Sequence, residues 1–447
     1  MYLFLILILS VVFIVLATTR LSLHPFLALL LAAMFYGIAA GINPIEVIKI
    51  VNTGFGNTMG QIGIIILFGS IIGKFLEKTG SAFLLAEKIL KYTGKKMISL
   101  TLGLAGYLVS IPVFADSGYI ILSSLKNSLA AKSKLNIVAP TIALSMGLMA
   151  SHVMLPPTPG PVAAAGILNA DIGLVILLGL PISLFGFLCT WQFIERFSPK
   201  TPFEDNIITE EKETVSSKEA LKNRNLINVI LPIVVPIALI VLKSVAQLPS
   251  SPLGNGFIKE FALFIGEPTV ALLIGMLLAF RLPKKFNLTM WSSKGWLGEA
   301  LLEASIILLI TGAGGAFGKV LQSTALTEVI TQQFVFESAG IWLPFIIAAA
   351  IKSAQGSSTV AIITTSSLVA PMMVTLGLGS PIGLALCVLA IGAGAVVISH
   401  ANDSFFWVVT QLSGMNIKEG YRYQSGGSAM LGLSSMLLIF ILSLILL

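Results

Sequence analysis

Charge is scarce in this 447-residue chain. Only 11% of its residues are Asp, Glu, Lys or Arg, against roughly a quarter in ordinary soluble domains, while 56% are hydrophobic and the mean hydropathy is +0.97. That balance excludes a soluble enzyme or binding module and indicates a polytopic membrane protein. Cysteine is nearly absent: Cys189 and Cys387 both lie in apolar stretches and give neither a zinc pattern nor a disulfide framework. There is no HExxH pair and no GxSxG elbow, so the common zinc and serine hydrolase arrangements are missing. GAGGAFGKV at 312–320 fails as a phosphate loop, because Ala313 stands where the first glycine belongs and Val320 where Ser or Thr should follow the lysine. The formal net charge of +7 does not signal nucleic acid, since the lysines fall in short loops between hydrophobic segments.

What is present is a series of long apolar runs, such as Leu3 to Ala17, Leu226 to Leu242 and Ala429 to Leu447, which approach or reach the ~20 residues that cross a bilayer. The first has no charged n-region and no small-residue cleavage site, so it reads as a retained helix. Lys74, Lys78, Lys88, Lys91, Lys95 and Lys96 outweigh Glu77 and Glu87, which makes that loop cytoplasmic, as is Arg20. Two spans lie between those points, at about 25–41 and 61–73, so the amino terminus is expected outside. The polar stretch at 195–225 mixes both signs and reads as a cytoplasmic linker.

The halves on either side resemble each other. GSIIGKFLEKTG at 69–80 aligns with GGAFGKVLQSTA at 314–325, and SHVMLPPTPG from Ser151 aligns with SHANDSFFWV from Ser399. The basic loop follows Lys74 in the first half. In the second it comes one loop earlier, at Arg281, Lys284, Lys285 and Lys294, as an inverted copy requires. The expected fold is all-α with ten spans, two re-entrant hairpins and two broken helices, both termini outside. A first repeat over 1–194 carries an inward hairpin at about 97–126 and a broken helix at about 137–170. A second over 226–427 carries an outward hairpin at about 341–375 and a broken helix at about 383–415, before a last helix at 428–447.

The interruptions are the candidate site, because unwound backbone at membrane depth is tolerated only where it faces protein or a cavity. Asp116, Ser117 and Gly118 are expected at the first hairpin tip, and Gln355, Gly356, Ser357, Ser358 and Thr359 at the second. LPPTPGP at 155–161, with Thr158 and Gly160, and SHANDS at 399–404 break the paired helices, since proline lacks the N–H a helix needs. The half-helices that restart there present free N–H groups suited to an anion. Ser399, Asn402 and Ser404 stand equally between capping and substrate contact. Asp403 and Asp116 are intramembrane carboxylates, which are costly and mark function. Asp403 is the expected proton carrier, with Asp116 as the alternative and His152 and His400 as relays or as neutral rings bonded to carbonyls. Lys352 is expected to snorkel to the surface rather than pair a substrate.

LPPTPGP, FADSG, QGSSTVA and SHANDSFFWVV together resemble the signatures of the gluconate permease (GntP) family, over essentially the whole chain. The resemblance implies proton-coupled import of gluconate or a related small hydroxy acid by an elevator-like carrier in the bacterial inner membrane. It points to Asp116 to Gly118, Pro156 to Pro161, Gln355 to Thr359 and His400 to Ser404. The expected partners are the bilayer, a small anionic sugar or hydroxy acid and, as an open alternative, a second copy in a homodimer. No organic cofactor or bound metal is expected. The coupling ion is the proton, with sodium as rival; the remaining alternatives are a D-serine or other carboxylate carrier of the same fold, or an anion channel.

Overall fold

The computed structural model describes residues 2–93, 97–133, 137–198, 226–247, 252–254, 256–283, 287–324, 340–401 and 403–447. Most of the expected linker, the loop residues Lys95, Lys96, Lys134, Lys284, Lys285, Glu328 and Glu337, and Asn402 lie outside the described residues.

Every regular element among the described residues is helical. The first half comprises α1 (Tyr2–Thr19), α2 (Pro25–Ala39), α3 (Pro44–Lys78), α4 (Ser81–Thr93), α5 (Ile98–Val109), α6 (Ala115–Ser133), α7 (Val138–Met154), α8 (Pro159–Leu168) and α9 (Ile172–Phe197). The second comprises α10 (Leu226–Ala246), α11 (Phe257–Ile265), α12 (Pro268–Ala279), α13 (Trp296–Gln322), α14 (Trp342–Gln355), α15 (Ser358–Val369), α16 (Pro381–Gly394), α17 (Ser404–Ser413) and α18 (Gly426–Leu446). A π-helical segment, Gly420–Ser425, leads into α18.

Local chemistry sets the helix starts. Proline stands in the first turn of α2, α3, α8, α12 and α16, where its missing N–H costs nothing. Asn43, Asp171 and Ser380 accept first-turn N–H groups of α3, α9 and α16 at 2.9, 2.7 and 3.0 Å.

Among the described residues six helical stretches are long and apolar enough to cross a bilayer, and α11 with α12, bent by 64°, makes a seventh if the pair is one span. The chain is therefore a multi-pass membrane protein. Of the ten expected spans, α2 and the α16–α17 pair are too short or interrupted to reach that length individually. α3 is the longest; its 35 residues reach about 50 Å at ~1.5 Å per residue, more than the ~30 Å hydrocarbon core.

α3 packs along α13, and glycine is what allows it. A Cβ on Gly315 would lie 1.9 Å from Thr58 Oγ1, and one on Gly54 would lie 2.8 Å from the Gly315 carbonyl oxygen. This small-residue seam lets the two helix backbones approach closely. The lysine that marked the first cytoplasmic loop proves different. Lys74 is only 5% exposed and donates to Glu303 on α13 at 2.5 Å, with Glu77 at 3.4 Å and Lys78 paired to Glu299 at 2.7 Å. Its charge ties the two long helices together rather than simply facing water.

Candidate functional site

Four interruptions converge through helix packing. α15 lies against α8 and α17 against α6 across the two halves, and α14 against α16 within the second, so a helix flanking each break packs on the other half. The first helix pair breaks at residues 110–114, between α5 and α6. Asp116, Ser117 and Gly118 are thus in the first turn of α6 and not on the unwound tip where the sequence reading put them. The second pair breaks at Gly356 and Ser357. Gly356 has φ +89°, a left-handed conformation that favours glycine. The α7–α8 break covers 155–158, whereas the α16–α17 break covers 395–403 and is longer than SHANDS alone.

The long break is held on three sides. Ser425 Oγ donates to the Ser399 carbonyl, Ser399 N–H donates to Ser428 Oγ at 3.0 Å, and Trp407 Nε1 donates to the Ala401 carbonyl at 2.8 Å. At its end Asp403 caps α17, accepting the Phe405 N–H at 3.1 Å through Oδ1. Its other oxygen, Oδ2, accepts from Ser399 Oγ at 2.6 Å and from Lys352 Nζ at 2.7 Å.

Lys352 does not snorkel. Its side chain is 1% exposed and that of Asp403 is 6% exposed, so the two form a buried ion pair joining the second hairpin to the second broken helix. Nζ also donates to the Gly356 carbonyl, which fixes the lysine under the hairpin tip. Removing either partner strands a buried charge, a change that typically costs about 3–5 kcal/mol. Asp116, which is exposed, interacts electrostatically with both members of the pair. His152 faces Lys352 and packs near Phe114, with ring centroids 6.1 Å apart.

Several of the expected contact residues already have partners or close packing within the chain. Gly118 spends its N–H on the Phe114 carbonyl, and a Cβ there would lie 2.7 Å from Leu148, so it serves packing of α6 on α7. Gly356 has both backbone groups engaged with Lys352. Gly160 is buried against Ile362 of α15, where a Cβ would come within 3.0 Å. Thr158 donates to the Leu155 carbonyl. His400 bonds the Ser353 carbonyl at 2.8 Å, the structural reading of the two offered for it.

The half-helix starts are not equivalent anion sites. α8 has prolines at 159 and 161, so its first turn retains few free N–H groups. α17 already carries the Asp403 carboxylate at its start. α15 differs, because Ser357 caps Val360 N–H at 3.3 Å and leaves the Ser358 and Thr359 N–H groups without helical partners. Around it, Gln355 Nε2 and Ser358 Oγ are buried with no hydrogen-bond partner among the described residues, as is His152 Nδ1 in α7. Ser357 and Ser404 are exposed, and Ser117 and Thr359 half-buried.

Sequence reasoning missed three buried lysines, Lys74 among them. Lys352 shares a helical face with Phe345 and Ala348 in α14, a spacing that signals burial. Lys126 is fully buried, donating to Tyr119 Oη and the Leu412 carbonyl at 3.3 Å each. It lies two turns from Tyr119 on one face of α6.

A cavity of about 240 Å³ lies elsewhere, lined by Gln61, Asn169, Asp171, Lys243, Ser244 and Glu267. Its charged groups are already paired: Ser244 Oγ to Asp171 at 2.6 Å and Lys243 to Glu267 at 2.8 Å. The breaks, by contrast, hold buried donors still free, and they are the better candidate site.

Residues 1–445 match the family described as GntP family permease. The chain is 32% identical over 461 residues to a gluconate permease of Pseudomonas aeruginosa, covering 100% of this chain and 98% of that protein. It is 31% identical over 452 residues to the D-serine transporter DsdX of Escherichia coli, covering 98% of each. Among solved structures, the YdaH transporter of Alcanivorax borkumensis, reported to have an unusual topology, aligns with a TM-score of 0.63 at 14% identity, over 94% of this chain and 98% of that one, a likeness of fold.

Proposed function

The chain belongs to the GntP permease family, and from that premise we propose that it imports a small hydroxy-carboxylate, gluconate foremost, with protons across the bacterial inner membrane by alternating access. The observation that carries the reading is the convergence of helix breaks from both halves around the Lys352–Asp403 pair, with unsatisfied donors beside it. A polyhydroxy acid needs one anchored anion and many hydrogen-bond partners. Lys352, Gln355, Ser358 and the first turn of α15 suit the carboxylate, while Asp116, Ser117, Ser357, Thr359 and Ser404 suit the hydroxyls. Asn402 remains part of the proposed substrate set on its sequence position. Asp403 is the proton carrier in this reading.

Alternating access is favoured over a channel by the order of elements. Each half runs through a long helix, a broken helix pair, an interrupted helix and a final span, which supports an inverted repeat with an elevator-like moving part. A second reading, D-serine transport, has its own support: exposed Asp116 offers a carboxylate to an amino group. Counterflow in proteoliposomes with gluconate, glycerate, D-serine and citrate tests these. Gluconate or glycerate exchange is expected. Exchange of citrate alone would overturn the proposal, and D-serine alone would select the second reading. Uptake that needs sodium and ignores a pH gradient would replace the proton.

A further inference from the structure

The site holds its own anion against its own cation. Lys352 is buried, is fixed by the Gly356 carbonyl, and points its charge at Asp403 Oδ2 at 2.7 Å. The ammonium has three donors, and only these two acceptors are found among the described residues. Gln355 Nε2 and Ser358 Oγ, both buried and unpartnered among the described residues, lie on the same hairpin tip. This is a carboxylate receptor whose central cation is occupied by a carboxylate of the protein.

Building on the proposed transport of a hydroxy-carboxylate, we propose that Lys352 is the cation that binds the substrate carboxylate and that Asp403 is its stand-in in the empty carrier. The substrate takes Asp403's place on Lys352, and the displaced Asp403 takes up a proton from solvent. Charge counting explains why the two events go together. In the empty site Lys352 and Asp403 sum to zero. An added anion alone would leave an uncompensated negative charge against the buried pair, beside Asp116. A proton on Asp403 restores neutrality, so loaded and empty carriers bury the same net charge.

The geometry lets Asp403 release its lysine without being orphaned. Oδ1 keeps the Phe405 N–H at 3.1 Å. Ser399 Oγ, 2.6 Å from Oδ2, donates to the carboxylate, and by rotating its hydroxyl it accepts from the protonated acid. The other ionisable groups that face this locus are Asp116, Tyr119 and Lys126 from α6, His152 from α7 and His400 from the break itself. Among the described residues only Asp403 offers one acceptor atom to both Lys352 and a hydroxyl, which is what makes displacement and protonation one exchange.

The test counts protons. Purified full-length protein in weakly buffered detergent near neutral pH is titrated with gluconate while a pH indicator reports uptake. Wild type is expected to take up on the order of one proton per gluconate bound, and Lys352→Arg to do the same with weaker binding. Asp403→Asn should bind gluconate with no proton uptake. The double variant Lys352→Gln with Asp403→Asn has no stranded buried charge, so it should fold, yet bind at least about tenfold more weakly than Asp403→Asn. Wild-type binding without proton uptake overturns the exchange, as does undiminished uptake by Asp403→Asn. Equal affinity of the double variant and Asp403→Asn removes Lys352 as anchor. A wild-type protein that binds none of gluconate, glycerate or D-serine sinks the transport reading itself, a different failure from these.

Discussion

Gly73→Ala is a substitution of one methyl whose effect the packing of α3 fixes. Gly69 and Gly73 lie one turn apart on α3, facing Pro157 of the α7–α8 break and Pro112 of the α5–α6 break. A Cβ at 73 would stand 2.1 Å from the Pro112 carbonyl oxygen, where carbon–oxygen contacts normally begin at roughly 3.3 Å. About 1 Å of backbone displacement is therefore needed. The obstacle is main chain, in a turn closed by Ser110 Oγ donating to the Val113 carbonyl at 3.0 Å, so no rotamer change relieves it. Overpacking costs about 1–3 kcal/mol, and a backbone obstacle places this case near the top, roughly a hundredfold against this arrangement. Gly56→Ala on the same helix is the control, because its Cβ meets nothing within 4 Å and alanine gains up to ~1 kcal/mol of helix propensity. Thermal unfolding in detergent and initial uptake rates are compared for both. Gly73→Ala should melt below wild type and transport more slowly, while Gly56→Ala should melt at or above it. If the two variants behave alike, the contact of α3 with the first break is not as described.

Lys126→Met replaces a buried ammonium that has no carboxylate partner among the described residues by a side chain of similar volume, so the melting temperature should hold or rise, by roughly 1 kcal/mol or more in stability. A marked fall, read by the same melt, would mean that its bonds to Tyr119 and Leu412 outweigh the desolvation. With Cys189 and Cys387 replaced, single cysteines at Glu210 and Asn255 should label from opposite sides of the membrane; labelling from one side refutes the inverted topology.

The breaks were legible in the sequence because they follow from single-residue chemistry. Proline at 156, 157, 159 and 161 cannot continue α7, and Gly356 permits the positive φ that ends α14. Their lengths were not legible: the α16–α17 break begins at Ala395, inside an apolar run, and its shape depends on Ser425 and Ser428 some thirty residues later. Charge was read poorly where it is paired. Lys74, Lys126 and Lys352 have the same composition signature as loop lysines, and only the approach of Glu303, Leu412 and Asp403 from distant segments separates them. The half-helix starts were least legible as anion sites, since the first turn of α8 keeps few free N–H groups and α17 brings its own carboxylate.

The buried ion pair also bears on how the chain is made. Lys352 precedes Asp403 by 51 residues, so during synthesis the second hairpin exists for a time with its ammonium uncompensated. A lone lysine at the centre of a membrane segment disfavours insertion by about 2.5–3.5 kcal/mol. The nascent hairpin must therefore wait beside the insertion machinery, or at the water interface, until α16 and the break after it have been delivered. A ribosome stalled between these points leaves a chain that cannot settle in lipid, and quality-control proteases would meet it there.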